Sequence, residues 1–253
     1  MLLSIFFFSF LLLFKLILKF NIYMLTRIPV FITARGNNKT AIKRNEEALK
    51  YAYIFIKEMN LFSQTWIISD NEEMLQYAKK LGFYNTFHHP CKTEKEINYL
   101  DYIAIYNFHI QKQYKPDWFI LLALNQLFRT TQLLTDCIRN IDNNFDVIAS
   151  YTDITNRSSF FIEDENDLVK NHPITHIRDR KKMIDAAIYA IKADFAIKCM
   201  ENKDDPSKIF WTGKIKYFKN NSLYTDICSY DDIKKFEYAG YIINKVKDLN
   251  NSI

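Results

Sequence analysis

The sequence predicts an α/β protein with a mainly parallel sheet that is covered by helices on both faces. Short apolar runs alternate with longer helical patterns between residues 28 and 150, and this order is typical of parallel sheets. Hydrophobic residues make up 49% of the 253-residue chain, which is enough for one large core. The chain has only four Gly and five Pro, so we do not expect extensive disorder.

The strands are predicted from short apolar segments that end at polar residues. These segments are 30–32 (VFI), Thr65–Ser69 (TWIIS), 84–87 (YNTF), 118–122 (WFILL), 147–150 (VIAS) and 186–191 (AAIYAI). Ligands of such sheets bind outside the carboxyl ends of the strands. That rule places residues 35–44, Asp70 and residues 123–129 along one rim of the sheet.

The helices are predicted from apolar residues that recur at helical spacing. They cover residues 46–60, Glu72–Leu81, 94–114, 130–141 and 230–248. Gly82 follows the second helix at the position of a C-cap glycine. Residues 151–180 interrupt the rhythm with short polar segments, and we interpret them as a small inserted arm.

The most informative segment lies between the first strand and the first helix. Residues 28–45 read IPVFITARGNNKTAIKRN, and we place four cations of this segment on a polar loop: Arg35, Lys39, Lys43 and Arg44. Cations on a strand-to-helix turn can hold a polyanion such as a triphosphate. No G-x-x-x-x-G-K-[ST] pattern fits the loop, so it is not a P-loop. Taken alone, the segment fits a solvated basic turn equally well.

Charge and cysteine usage limit the partners and the compartment. A net charge of +5 suits a protein that handles phosphorylated substrates, and it gives no reason to expect a nucleic-acid partner. The four cysteines have no C-x-x-C spacing. We therefore expect free thiols in a reducing compartment.

Residues 1–23 form a separate hydrophobic N-terminal segment. Its apolar run, residues 2–14, is shorter than the roughly 20 residues of a spanning helix, and Lys15 follows directly. The segment also lacks the basic start and cleavage site of a secretory signal. Three interpretations stay open: a marginal membrane anchor, an uncleaved signal-like segment, or a start codon misassigned upstream of Met24. We expect a cytoplasmic body over residues 24–250, with membrane association through the N-terminus left open.

The basic segment matches a known loop pattern. Residues 34–39 (ARGNNK) and 43–45 (KRN) resemble the A-R-x-x-S-K-x-x-x-x-K-N loop of the acylneuraminate (sialic acid) cytidylyltransferases. Residues 67–70 (IISD) are similar to the I-V-S-T-D strand end of that family, and residues 78–82 (AKKLG) lie at the matching distance.

Later segments continue the resemblance in the same order, to about residue 243. Residues 116–122 (PDWFILL) and 127–130 (LFRT) are similar to the family pattern P-D-x-V-x-L-L-Q-P-T-S-P-L-R-T. Residues 187–189 (AIY) resemble the end of the N-G-A-I-Y strand, and residues 225–227 (TDI) match the start of the D-I-D metal motif.

The resemblance implies a Rossmann-like fold and a CTP-dependent reaction. In that reaction the hydroxyl of a sugar acid attacks the α-phosphate of CTP, and pyrophosphate leaves. The implied partners are CTP, a nine-carbon sugar acid and a second copy of the chain, with the arm at 151–180 reaching into the neighbour's site. The implied cofactor is Mg²⁺ or Mn²⁺, with Asp226 as its ligand.

The resemblance also assigns roles to individual residues by position. Arg35, Lys39 and Asp226 would be catalytic. The nucleotide would be bound by residues of the basic segment and of the second strand end, namely Arg35, Asn38, Lys39, Arg44, Asn45, Ser69 and Asp70. The substrate would be bound by Asn125, Gln126 and Arg129. Two alternatives stay open, a helix cap for Asp70 and a helix start at Arg129 and Thr130.

The chain departs from the family pattern at several of these positions. Ala123 stands where the family has a sugar-contacting glutamine, and Cys228 replaces the second carboxylate of the metal motif. A thiol is a poor ligand for magnesium, which prefers oxygen. Asp185 and Ala186 replace the N-G that precedes A-I-Y.

Three functions follow from these matches and departures. The leading one is a cytidylyltransferase that activates a sialic-acid-like sugar acid for surface polysaccharide. The second is a catalytically impaired relative that binds nucleotide or nucleotide-sugar, tethered to a membrane by residues 1–23 in one version. The third is a membrane-associated glycosyltransferase, against which the lack of a convincing D-x-D motif argues.

Overall fold

A seven-stranded mixed sheet occupies the centre of the molecule. The computed structural model describes residues 28–91, 96, 100–111, 115–153, 182–201, 209–222 and 230–238. The strands are β1 (Val30–Thr33), β2 (Thr65–Ser69), β3 (Thr86–His88), β4 (Trp118–Ala123), β5 (Val147–Asp153), β6 (Lys182–Lys192) and β7 (Ile215–Lys219). Their order across the sheet is β3-β2-β1-β4-β6-β5-β7.

Six of these strands run in one direction. β1 pairs in parallel with β2 and with β4, β2 pairs in parallel with β3, and β5 pairs in parallel with β7. β6 is antiparallel to both of its neighbours, β4 and β5. The prediction of a mainly parallel sheet is therefore confirmed. Strands that share a direction bring their carboxyl ends to one edge, which is where this class of sheet binds ligands.

Helices cover both faces of the sheet, as predicted. They are α1 (Lys39–Met59), α2 (Glu72–Leu81), α3 (Leu100–Gln111), α4 (Thr131–Arg139), α5 (Ala193–Glu201) and α6 (Tyr230–Tyr238). One core cluster joins the sheet to α1, α2, α4 and α6, and a second joins the opposite face to α3 and α5. Alternate residues of β1 serve the two clusters, with Val30 and Ile32 in the first and Phe31 in the second.

Local capping sets the limits of the helices that lie nearest the site. The side chain of Asn38 accepts a hydrogen bond from the backbone N–H of Ala41 at 2.8 Å, which starts α1. The side chain of Asn71 accepts from the N–H of Met74 at 3.0 Å, which starts α2. Gly82 ends α2 with φ = 107°, a left-handed conformation that glycine adopts without steric cost, so the predicted C-cap is confirmed.

The structure corrects several predicted boundaries. α1 begins at Lys39 and not at residue 46, because Asn38 caps the chain earlier. The predicted arm at 151–180 begins inside β5, whose residues Tyr151 to Asp153 pair with the start of β6. Two elements, α5 and β7, were not predicted at all.

Parts of the predictions fall outside the described residues. They include the N-terminal segment 1–23, most of the arm at 151–180, the metal ligand Asp226 and the end of the predicted closing helix. Among the described residues, none of the helices combines the length and the apolar character that a bilayer-spanning helix needs.

Candidate functional site

The carboxyl ends of β1, β2 and β4 meet side by side. Thr33, the last residue of β1, lies level with Ile68 of β2 on one side and with Ala123 of β4 on the other. Ser69, the last residue of β2, pairs with His88 at the end of β3. The chain segments that follow these strands therefore form one continuous rim, as the sequence predicted.

Three of the four predicted loop cations lie on the first turns of α1. Lys39 is the first residue of the helix, and Lys43 and Arg44 follow within it, so only Arg35 lies on the loop itself. Lys39 and Lys43 are four residues apart and thus share one helix face. Lys39 is exposed, whereas Arg35 and Arg44 are half-buried. The cations are therefore placed at the N-terminal end of a 21-residue helix.

The peptide bond between Arg35 and Gly36 is held from both sides. The Nδ2 group of Asn45 donates to the carbonyl oxygen of Arg35 at 2.7 Å. The N–H of Gly36 donates to Oδ1 of Asp70 at 2.6 Å. Asn45 is buried and its Oδ1 accepts from Nε of Arg44 at 2.9 Å. In this structure, Asn45 and Asp70 therefore fix the loop from which Arg35 projects.

Gly36 is also held through its carbonyl group. Nδ2 of Asn71 donates to the Gly36 oxygen at 3.2 Å. A Cβ atom on Gly36 would lie 2.2 Å from Cβ of Asn71, so a side chain cannot fit without moving the turn. Asn71 and not Asp70 caps α2, which corrects the capping alternative considered for Asp70. Ser69 is buried, and its Oγ accepts from the N–H of Asn71 at 3.0 Å.

The start of α1 carries positive charge without a compensating acidic side chain. It has no acidic residue in its first turn, and the unpaired N–H groups at a helix start carry partial positive charge themselves. Nζ of Lys43 lies 4.1 Å from the ring centre of Tyr230 on α6, which orients this cation. Such a helix start can bind an anion that supplies the missing negative charge.

The segment after β3 closes the far side of the rim. Burial raises the pKa of the Cys91 thiol to about 11, and the charge of Asp70 adds to this effect while that of Arg35 opposes it. These charges act on Cys91 because all three residues are neighbours at the rim. His88 lies beside them, with Nε2 3.4 Å from the carbonyl oxygen of Asp70.

The segment after β4 carries the predicted substrate residues. Gln126 is buried, whereas Asn125 and Arg129 are half-buried. Nε of Arg129 donates to the carbonyl oxygen of Ala187 at 3.1 Å, and one of its Nη groups donates to the carbonyl oxygen of Ala123. Arg129 therefore ties the end of β4 to β6. The substrate-binding roles of these three residues stay predictions.

Of the two residues considered as a helix start, only Thr130 caps the helix, whereas Arg129 binds carbonyl groups of the sheet. Thr130 is the N-cap of α4, since its side chain accepts from the N–H of Leu133 at 3.2 Å. Burial lowers the pKa of Arg129 to about 9, and the carboxylate of Asp185 opposes this effect, so the guanidinium is still positive at neutral pH.

A buried polar network that the sequence did not predict lies next to this segment. The carboxylate of Asp185 on β6 accepts from the hydroxyl of Ser150, from the N–H of Ala187 at 3.0 Å and from Nδ2 of Asn220 at 2.8 Å. Ser150, Asp185 and Asn220 are all buried. Burial raises the pKa of Asp185, while these hydrogen bonds and the charge of Arg129 lower it. The signal was a lone acidic residue inside an otherwise apolar strand.

The described residues do not form a magnesium site by themselves. No cluster of three His, Cys, Asp or Glu side chains with metal-binding geometry occurs among them. Both oxygens of Asp185 already accept hydrogen bonds, and Oδ1 of Asp70 accepts from Gly36. The predicted ligand Asp226 lies outside the described part of the chain.

Sequence comparison alone identifies no relative. No protein-family model matches the chain, and no curated protein matches it in sequence. Comparison of the fold, in contrast, finds many solved structures.

Three solved structures illustrate this likeness. CMP:2-keto-3-deoxy-manno-octonic acid synthetase in complex with CTP is 12% identical, with a TM-score of 0.57 over 85% of this chain and 98% of its own. 4-Diphosphocytidyl-2C-methyl-D-erythritol synthase from Anaerococcus prevotii is 12% identical, with a TM-score of 0.59 over 86% and 100%. A Bacillus anthracis protein assigned as a glucose-1-phosphate thymidylyltransferase is 12% identical, with a TM-score of 0.58 over 87% and 99%.

The chain has a nucleotidyltransferase-like fold. The first structure names CTP, the second names a diphosphocytidyl group, and the third names a thymidylyl group. At 12% identity the likeness concerns the fold and does not identify the nucleotide. In this nucleotidyltransferase-like fold, the basic start of α1 and the rim of strand ends form the candidate site.

Proposed function

We propose that the chain is a cytidylyltransferase that transfers CMP from CTP to a sialic-acid-like sugar acid and releases pyrophosphate. The observation that carries this proposal is the basic N-terminus of α1 beside the fixed peptide that follows β1. Lys39 and Arg35 lie there, at the rim where α/β sheets bind ligands. A nucleoside triphosphate would supply the negative charge that this helix start lacks.

The reaction would proceed by attack of the sugar-acid hydroxyl on the α-phosphorus of CTP. The new P–O bond joins CMP to the sugar acid, and the bond between the α- and β-phosphates breaks. Arg35, Lys39 and Arg44 would stabilise the charge that develops on the phosphate oxygens and on the leaving pyrophosphate. Magnesium or manganese would reduce the charge of the triphosphate when bound, with Asp226 as the proposed ligand.

The choice of CTP over other nucleotides rests on the sequence. The resemblance of residues 34–45 to the sialic acid cytidylyltransferase loop points to CTP and to a sugar acid. One structure with the same fold was solved with CTP bound, which is compatible with this choice but does not distinguish CTP from other nucleotides. The proposed use of the CMP-activated sugar acid in the synthesis of surface polysaccharide follows from the same resemblance.

The test is an assay of pyrophosphate release by the purified full-length chain. CTP and magnesium or manganese would be combined with a panel of eight- and nine-carbon sugar acids, with UTP and dTTP as alternative nucleotides. We expect release that requires both CTP and one of the acids. Release with dTTP or UTP and not with CTP would contradict the choice of nucleotide.

A second candidate is a catalytically impaired relative that binds CTP or a nucleotide-sugar. It is favoured by Ala123, which stands at the end of β4 where the resembling family has a glutamine, and by Cys228 in the metal motif. Saturable CTP binding without pyrophosphate release would support this candidate against the enzyme.

The homodimer and the membrane contact are further proposals from the sequence. They rest on residues 151–180 and 1–23, which lie almost entirely outside the described residues. Light scattering of the purified chain and membrane fractionation of the native protein would test them.

A further inference from the structure

We propose that Asp70 is a positioning residue that acts through Gly36, and that it does not bind the nucleotide itself. This inference rests on the proposed nucleotide site at the start of α1. The sequence resemblance places Asp70 among the residues that bind the nucleotide. The hydrogen bonds of the structure instead connect it to the backbone from which Arg35 projects.

The geometry of one peptide group carries this inference. The carbonyl of Arg35 and the N–H of Gly36 belong to the same planar peptide unit. Asn45 binds the oxygen at 2.7 Å, and Asp70 binds the nitrogen at 2.6 Å. Partners at both ends fix the plane of the unit, and the plane sets the direction in which the Arg35 side chain leaves the backbone. The acceptor is a carboxylate, and hydrogen bonds to an ionised acceptor are stronger than those to a neutral one.

The next carbonyl group strengthens the connection. Asn71 donates to the oxygen of Gly36 at 3.2 Å, so two consecutive residues of the β2–α2 turn bind both polar groups of one glycine. Ser69 holds the same turn through the N–H of Asn71. The close approach requires glycine, because a Cβ atom would lie 2.2 Å from Cβ of Asn71. Two neighbouring strand-to-helix turns are thus locked together.

Locking of this kind lowers the cost of binding phosphate. Without Asp70, the peptide can rotate, and only a fraction of molecules would present Arg35 in the binding geometry. The apparent dissociation constant rises as that fraction falls. Loss of Asp70 would therefore weaken the binding of CTP and of inorganic tripolyphosphate by the same factor. If Asp70 instead bound the ribose or the base, its loss would weaken the binding of CTP and CMP and leave that of tripolyphosphate unchanged.

The experiment compares Asp70→Ala and Asp70→Asn in the full-length chain. The amide oxygen of asparagine can still accept from the N–H of Gly36, whereas alanine cannot. Titrations with CTP, CMP and tripolyphosphate should show a loss of about tenfold for CTP and tripolyphosphate in Asp70→Ala. Asp70→Asn should stay within about threefold of the wild type, since a neutral acceptor is weaker but present. Glu72→Gln, an exposed neighbour, is the matched control.

Two results would overturn the proposal. One is an Asp70→Ala chain that binds tripolyphosphate normally; the other is an Asp70→Asn chain as impaired as Asp70→Ala. Hydrogen exchange of the Gly36 amide gives a readout that does not need a nucleotide. It should be faster in Asp70→Ala and near the wild-type rate in Asp70→Asn. If the wild type binds no triphosphate, the proposed function fails, and unchanged exchange in Asp70→Ala would separately refute the positioning role.

Discussion

The charged residues at the start of α1 have the opposite sign to the one that a helix N-terminus favours. Negative side chains stabilise a helix N-terminus, yet this helix begins with Lys39 and has Lys43 one turn later on the same face. Lys57, in the last turn, sits where a cation is favourable. By this rule Lys39 does not stabilise the start of the helix, as we expect of a residue that binds an anion.

Lys39→Gln should separate stability from binding. Removing the unfavourable charge should leave the free energy of unfolding unchanged or raise it by up to about 0.5 kcal/mol. The same change should lower the affinity for CTP roughly tenfold, because a phosphate contact is lost. Urea denaturation and CTP titration measure the two effects. Lys57→Gln, on the same helix, should do the opposite, with slightly lower stability and unchanged CTP affinity.

Cys91 reports on the same rim through its reactivity. With the pKa of its thiol raised to about 11, only about one molecule in a thousand carries the thiolate at pH 8. In a Cys228→Ser background, alkylation by iodoacetamide should accelerate about tenfold per pH unit from pH 7 to pH 10. Bound CTP should slow it at every pH. A rate that levels off below pH 9 would contradict the position given to Cys91. Cys137 and Cys199 are buried and serve as internal controls for unfolding.

At the scale of elements, the second half of the sheet depends on a buried carboxylate. Asp185 on β6 joins Ser150 of β5 and Asn220 after β7, while Arg129 fixes the end of β4 to β6. β6 is the antiparallel strand, so its first residues lie at the same edge as the carboxyl ends of its neighbours. The network therefore connects these strands close to the rim of the candidate site.

Asp185 should make the stability of the fold depend on pH. Burial raises its pKa in the folded state, so ionisation of Asp185 costs more free energy there than in the unfolded chain. The stability that the group contributes is fully present below the unfolded pKa and is lost as pH rises through the folded pKa. Asp185→Asn, which stays neutral, should therefore gain stability relative to the wild type as pH rises from 4 to 8. Denaturation at several pH values measures this difference, and Asp142→Asn, in the loop between α4 and β5, is the control. If the free energies of unfolding of Asp185→Asn and the wild type changed with pH in parallel, this prediction would be wrong.

The elements that sequence could predict are those with strong local patterns. β1, β2 and β4 are continuous apolar runs, because both of their faces are covered. β7 reads IKYFK and lies at the edge of the sheet, where lysines break the apolar pattern. α5 follows β6 without an intervening turn residue, so no local signal marked its start.

For the site too, the features that are local in the sequence could be predicted and those that join distant residues could not. The cations of residues 35–44 were visible in the sequence because they are close together along the chain. The role of Asp70 was not, because its partner Gly36 is 34 residues away. The partners of Asp185 are likewise contributed by other strands. Contacts of this kind depend on sheet order, and a single sequence does not contain that order.

For the whole molecule, the comparisons show the fold and leave both the reaction and the nucleotide open. Structures with this fold carry different nucleotide groups in their names at the same 12% identity. The choice of ligand must therefore come from the residues at the rim. Here they are a cationic helix start and a peptide held by Asn45 and Asp70, which together suit a triphosphate.

The most direct test of this account is calorimetric titration of the full-length chain with CTP and with CMP. We expect one saturable site per chain for CTP, with at least tenfold weaker binding of CMP, because the β- and γ-phosphates provide the contacts with the start of α1. The affinity for CTP should fall as salt rises. Equal affinities for the two nucleotides, or no saturable CTP binding at millimolar concentration, would contradict the account.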